Sequence, residues 1–108
     1  VKCPMTIKVG PLTYRLQREL KDHDNYGSVS FNTQAIRFAA GSGSLEKNLA
    51  VLIHEYLHAC EENATLPDSD LRLKHDQFRW VSLAIVDFMQ QLKMDTKLEI
   101  DHLPERAE

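Results

Sequence analysis

The chain has 108 residues with a net charge of −3, 43% apolar and 27% charged, the composition of one ordinary globular domain. That acidic balance lacks the basic surface a phosphate backbone requires, so no nucleic-acid partner is expected. No apolar run is long enough to span a bilayer, and Val1-Lys2-Cys3-Pro4-Met5 does not lead into the apolar stretch of a signal peptide. A cytoplasmic location without membrane contact is therefore expected. Cys3 and Cys60 match no local metal spacing and are expected as reduced thiols.

In chain order, Thr6-Ile7-Lys8-Val9 reads as a short strand closed by Gly10-Pro11. Leu12, Tyr14 and Leu16 alternate with polar Thr13, Arg15 and Gln17, a period of two that predicts a half-buried strand over 12–20. Residues 21–25 are a polar loop. Segments 26–31 and 35–39 flank a turn at Asn32-Thr33 and predict a hairpin, with Val29 and Phe31 facing Ile36 and Phe38. Ser44 suits the N-cap of the helix that follows, and Glu46 suits its positive end. Leu45, Leu49, Leu52, Ile53, Tyr56, Leu57 and Cys60 keep the 3.6-residue period, predicting a helix over about 45–63.

A second long helix is predicted over about 71–94. Its inward stripe reads Leu71, His75, Phe78, Val81, Ile85, Phe88 and Leu92, widened by Trp80, Leu83 and Ala84. The tail, 95–108, is weakly patterned and expected to be peripheral or frayed. The expected fold class is α+β: a small antiparallel-rich N-terminal sheet (strands within about 6–39) packed on the first helix, with a second long C-terminal helix. All of this forms a single domain over 1–108.

The first helix contains His54-Glu55-Tyr56-Leu57-His58. Histidines four apart project from one face, a turn above one another. Both imidazoles can therefore reach one metal ion, and zinc is the usual occupant of such a pair. Glu55, next to His54, is placed to take a proton from a zinc-activated water rather than to ligate. On a charged surface helix this pattern would be ordinary polar surface; here it lies in an apolar helix, where partnerless imidazoles are costly.

A catalytic zinc usually takes three protein ligands. The second helix is the natural source of the third. His75 shares the stripe of Phe78 and Val81, whereas Asp76 lies about 100° further round and is the alternative. Glu61 and Glu62 share the helix of the pair and cannot easily curl back. His23, His102, Asp68 and Asp70 fall in loops or in the tail.

With these residues in view, the chain resembles the zincins, the zinc-dependent metallopeptidases with an HExxH helix. Among them it is similar to the minigluzincins and related short phage-type and bacterial HExxH proteins. The likeness covers most of residues 6–92. It includes Ile7-Lys8-Val9-Gly10 with Tyr14 shortly after, Ile36-Arg37-Phe38, and Leu52-Ile53-His54-Glu55-Tyr56-Leu57-His58-Ala59. Only the HExxH is highly specific. In gluzincins the last ligand is a glutamate on the second helix; none occurs here between Glu62 and Glu99, and Asp76 would be its acidic counterpart. The segment His75-Asp76-Gln77-Phe78-Arg79-Trp80 also looks like the histidine-containing segment of SprT-like zincins, although Asp76 stands where a glycine typically follows.

The resemblance implies a zincin-like fold and a zinc metallopeptidase acting on a peptide or unfolded protein substrate. Zn²⁺ would be held by His54, His58 and His75 (or Asp76), with Glu55 as general base. Two further expectations are kept. One is a zinc-stabilised binding or regulatory module of the same fold with little or no peptidase activity. The other is latency, with Glu99, Asp101, His102 or Glu105 of the tail reaching the metal. An extended substrate is expected to pair with an edge strand at 35–39.

Overall fold

The computed structural model of the chain describes residues 1–19, 27–39, 45–63 and 74–105, the side chain of His75 excepted. The elements are β1 (Thr6–Val9), β2 (Leu12–Glu19), β3 (Gly27–Ser30), β4 (Ala35–Ala39), α1 (Leu45–Asn63) and α2 (His75–Gln91). The class is α+β, with a four-stranded mixed sheet and two helices. Among the described residues no helix is long and apolar enough to cross a membrane.

Gly10 takes φ +60, a conformation that costs glycine nothing, and Pro11 pre-sets the next φ, so β1 turns directly into β2 with Val9 opposite Leu12. The alternation in β2 buries Tyr14 and Leu16. The second hairpin forms with Val29 opposite Ile36. Gly27, rather than Phe31, lies opposite Phe38, and Phe31 belongs to the turn.

The strand order is β1-β2-β4-β3, and β2 pairs with β4 in parallel. This corrects one expectation, that residues 35–39 form an edge strand. The sheet is antiparallel-rich as expected but includes one parallel pairing, β2 with β4, and β4 is an interior strand with every residue buried. Among the described residues the edge strand beyond β4 is β3. Hydrophobic alternation indicates which residues pair in a hairpin but not which hairpin strand joins the rest of the sheet.

α1 lies on this sheet, and α2 packs on α1 alone among the described elements, so the layers run sheet, α1, α2. α2 begins at His75, with Lys74 as N-cap; the Lys74 amide donates to Gln77 Oε1 at 2.7 Å. The expected positions 71–73 lie outside the described residues. At its other end the helix stops at Gln91, where Lys93 takes φ 62.

The inward face of α2 also differs from the expected stripe. Phe78, Ser82 and Val86 are buried, whereas Trp80, Leu83, Ile85, Phe88 and Leu92 are exposed. Apolar residues surround most of this helix, so hydrophobicity alone did not select a face.

The tail is not peripheral. Leu98, Ile100 and Leu103 join one core cluster with Cys3, Tyr14, Leu16, Ile36, Phe38, Leu52 and Ala59. The Glu99 amide donates to Val1 O and the Cys3 amide to Glu99 O. Arg18 Nε donates to Leu103 O, and the Arg18 guanidinium meets Glu105 at 3.5 Å. Buried Asn48 on α1 donates to Leu98 O. The tail closes the core because so short a chain has little other apolar material with which to cover its sheet. Both cysteines are free thiols, and burial pushes Cys3 up to about 11.

Leu103 is 1% exposed. Leu103→Ala should cost about 2–5 kcal/mol in urea unfolding; a change within about 0.5 kcal/mol, as for a surface site, would show the tail to be dispensable.

Candidate metal centre

Helix spacing sets the first feature of the site. His54 and His58 stand one turn apart on α1, and their Nε2 atoms approach to 3.1 Å. Two nitrogens bound to one tetrahedral zinc at ~2.0–2.1 Å each stand roughly 3.3 Å apart. The pair therefore already has nearly the separation that a shared ion requires.

Phe78 of α2 backs the pair. Its ring centroid is 4.1 Å from that of His58 and 6.0 Å from that of His54. Phe78 is buried, so it forms an apolar wall on the α2 side of both rings. Buried Ser82, one turn on, donates its hydroxyl to Phe78 O at 2.7 Å and so satisfies that hydroxyl within α2.

Glu55 projects between the helix and the sheet. It is 8% exposed, and burial raises its carboxyl from 4.5 to about 7. Gly27 makes that burial possible. A Cβ at position 27 would stand 2.5 Å from Val51 Cγ1, 3.1 Å from Arg37 O and 3.5 Å from Glu55 Cγ. Glycine thus lets α1 come down against β3.

A cleft of 730 Å³ opens over these groups. His54, Glu55 and His58 share it with Val29 and Phe31 of the sheet side and Leu83 of α2. Lys47 and Arg79 line it as well.

The structure thus brings together His54, Glu55 and His58. Asp76 is exposed and does not line the cleft. The His75 side chain lies outside the described residues; its backbone opens α2 one turn before Phe78. Among the described residues, no group of three His, Cys, Asp or Glu side chains is placed to hold a metal ion. His23, Asp68 and Asp70 also lie outside the described residues. Tyr14 accepts a hydrogen bond from Asn63 at the end of α1, and His102 meets Cys3 O at 2.6 Å. Neither lines the cleft, nor do Glu99, Asp101 or Glu105. The expected delivery of tail groups to the metal has no support in this arrangement, since His102 and Glu105 are engaged elsewhere.

Sequence reasoning missed Gly27, Phe31, Lys47 and Arg79 as parts of the site. Lys47 did carry a signal, standing seven residues before His54 on the same helical face. Gly27 and Phe31 carried none, because their role depends on which strand is the edge.

Compared with family models, curated proteins and solved structures, the chain matches none.

Folding favours the neutral form of Glu55, so its contribution to stability is full below about 4.5 and is lost as pH rises through about 7. In the presence of a chelator, the stability of wild type relative to Glu55→Gln should fall by about 3 kcal/mol between acid and alkaline pH. Parallel unfolding profiles for the two proteins would show that Glu55 is not held neutral. Gly27→Ala should cost about 1–3 kcal/mol by overpacking against Val51; an unchanged denaturation midpoint would mean that α1 does not need this close approach.

Proposed function

We propose that the chain is a zinc-dependent metallopeptidase of the small zincin type, hydrolysing peptide bonds of peptides or unfolded proteins. The observation that carries this reading is the 3.1 Å approach of two imidazole nitrogens beside a buried carboxyl raised to about 7. His54 and His58 would hold the ion. His75 would be the third donor, because position 75 precedes Phe78 by one turn on the face of α2 turned toward α1. Bound zinc would polarise a peptide carbonyl and lower the pKa of a water molecule toward neutrality.

Glu55 does the proton work. A carboxyl titrating near neutral pH can accept a proton from the attacking water and return it to the leaving amine. Phe78 shields one side of the pair from water, which strengthens electrostatics on that side. An extended substrate pairs with β3, the sheet edge that lines the cleft, by adding a strand antiparallel or parallel to it. Arg79 at the cleft boundary favours substrates that carry negative charge near the scissile bond.

The second reading is a zinc-stabilised binding module without turnover. One observation favours it: the described residues supply a metal-binding pair rather than a triad.

Wild-type protein should carry about one zinc per chain, Asp76→Ala the same, His75→Ala much less and His58→Ala essentially none. Equal zinc in wild type and His58→Ala would remove the site. Glu55→Gln should keep its zinc and lose roughly 10²–10⁴-fold of the hydrolysis of an unfolded protein such as casein. Zinc binding with no chelator-sensitive hydrolysis in the wild type would select the binding module instead.

A further inference from the structure

We propose that the cleft selects peptide segments carrying a large apolar residue and an acidic residue within three positions of each other. The apolar side chain enters between Phe31 and Leu83, and Arg79 takes the carboxylate. This rests on the reading of the cleft as a peptide site along β3 and adds the substrate class to it.

The cleft has two walls, because α1 lies between the sheet and α2 and contributes the residues between them. Phe31, in the turn after β3, belongs to the sheet wall and is 41% exposed. Leu83 belongs to the α2 wall and is 57% exposed. Ala50 and Val51 of α1 line the space between these walls. A single apolar side chain in water is ordinary. Two of them lining one concave site, with apolar groups between, form a pocket that an apolar ligand group completes. Arg79 stands one turn before Leu83 on the same face of α2 and lines the same cleft. Lys47 has a partner within the chain. Arg79 is exposed, and among the described residues it makes no ion pair. Its planar fork of donors matches a carboxylate.

Spacing ties the two recognitions together. Four residues of helix rise roughly 6 Å, and an extended peptide advances ~3.3 Å per residue. With the length of an arginine side chain added, an acidic residue one to three positions from the apolar one is within reach of Arg79. A fatty acid also joins an apolar body to a carboxylate, but the cleft suits a peptide better. Gly27, Ser28 and Val29 of β3 line it, and β3 is an edge strand among the described residues. Backbone donors and acceptors of such a strand serve a peptide and give an acyl chain nothing.

Binding is read by fluorescence anisotropy of labelled decapeptides on the full chain carrying Glu55→Gln, either zinc-loaded or stripped by a chelator. Each peptide is a Gly-Ser sequence with one Phe and, two positions from it in either order, Glu, Gln or Lys. The better Glu peptide should bind roughly two- to fivefold more tightly than its Gln counterpart, as an exposed ion pair gives, and the Lys peptides should bind more weakly still. Arg79→Gln should abolish that difference, and Arg79→Glu should reverse it in favour of Lys. Leu83→Ala should weaken every Phe peptide by about fivefold and leave the Glu-to-Gln ratio in place. Both positions are exposed, so native circular dichroism is expected of each variant. Equal binding of the Glu, Gln and Lys peptides would overturn the proposal, as would a Glu preference that survives Arg79→Glu. Laurate binding with no peptide bound would assign the cleft to a fatty acid and overturn it equally. A Glu preference in a wild type that shows no zinc-dependent hydrolysis would support this inference and remove the peptidase reading. Hydrolysis by wild type with no Glu preference would do the reverse.

Discussion

The close approach of α1 to β3 at Gly27 is the constraint on which the rest of the structure depends. Without a Cβ at that position, Val51 and Glu55 lie directly against the strand. The carboxyl is thereby taken out of water and pushed up to about 7. The same seating fixes the rotation of α1 about its own axis. With Glu55 turned toward β3, His54 and His58 are turned toward α2, where Phe78 meets both rings. A wider helix–sheet spacing would hydrate the carboxyl and leave this rotation less sharply defined.

α1 can carry such a site because it is held on all sides. The sheet packs beneath it and α2 above it, and the tail ties its first turns through Leu45 O and Asn48. At the far end, Asn63 bonds to the Tyr14 hydroxyl and to Ala59 O. Buried polar groups are satisfied throughout: among the described residues no buried side-chain nitrogen or oxygen lacks a partner. Val1 and Cys3 pair with the segment around Glu99, which ties the first residues to the stretch after α2.

The position of β3 gives the cleft its chemical character. An interior strand such as β4 has both edges hydrogen-bonded and both faces covered, and offers nothing to an extended ligand. β3 is an edge strand among the described residues and lies beside the histidine pair. The cleft therefore joins an edge strand, apolar side chains and a buried carboxyl in one place. α2 contributes to it with only part of its circumference, which is why so much apolar surface remains on its other side.

The sequence by itself determined what depends on local period. The bounds of α1, the alternation in β2, the turn at Asn32-Thr33 and the shared face of His54 and His58 all follow from spacing, since backbone geometry repeats every few residues. The neutral-range carboxyl of Glu55, the edge position of β3, the inward face of α2 and the burial of Leu98, Ile100 and Leu103 were decided by tertiary structure alone. Each depends on what stands opposite a residue across the fold. A buried carboxyl reads like a surface one in sequence, and an apolar helix with two sides does not say which is inside. Packing breaks both degeneracies, because desolvation and steric fit are properties of pairs of elements rather than of a single stretch of chain.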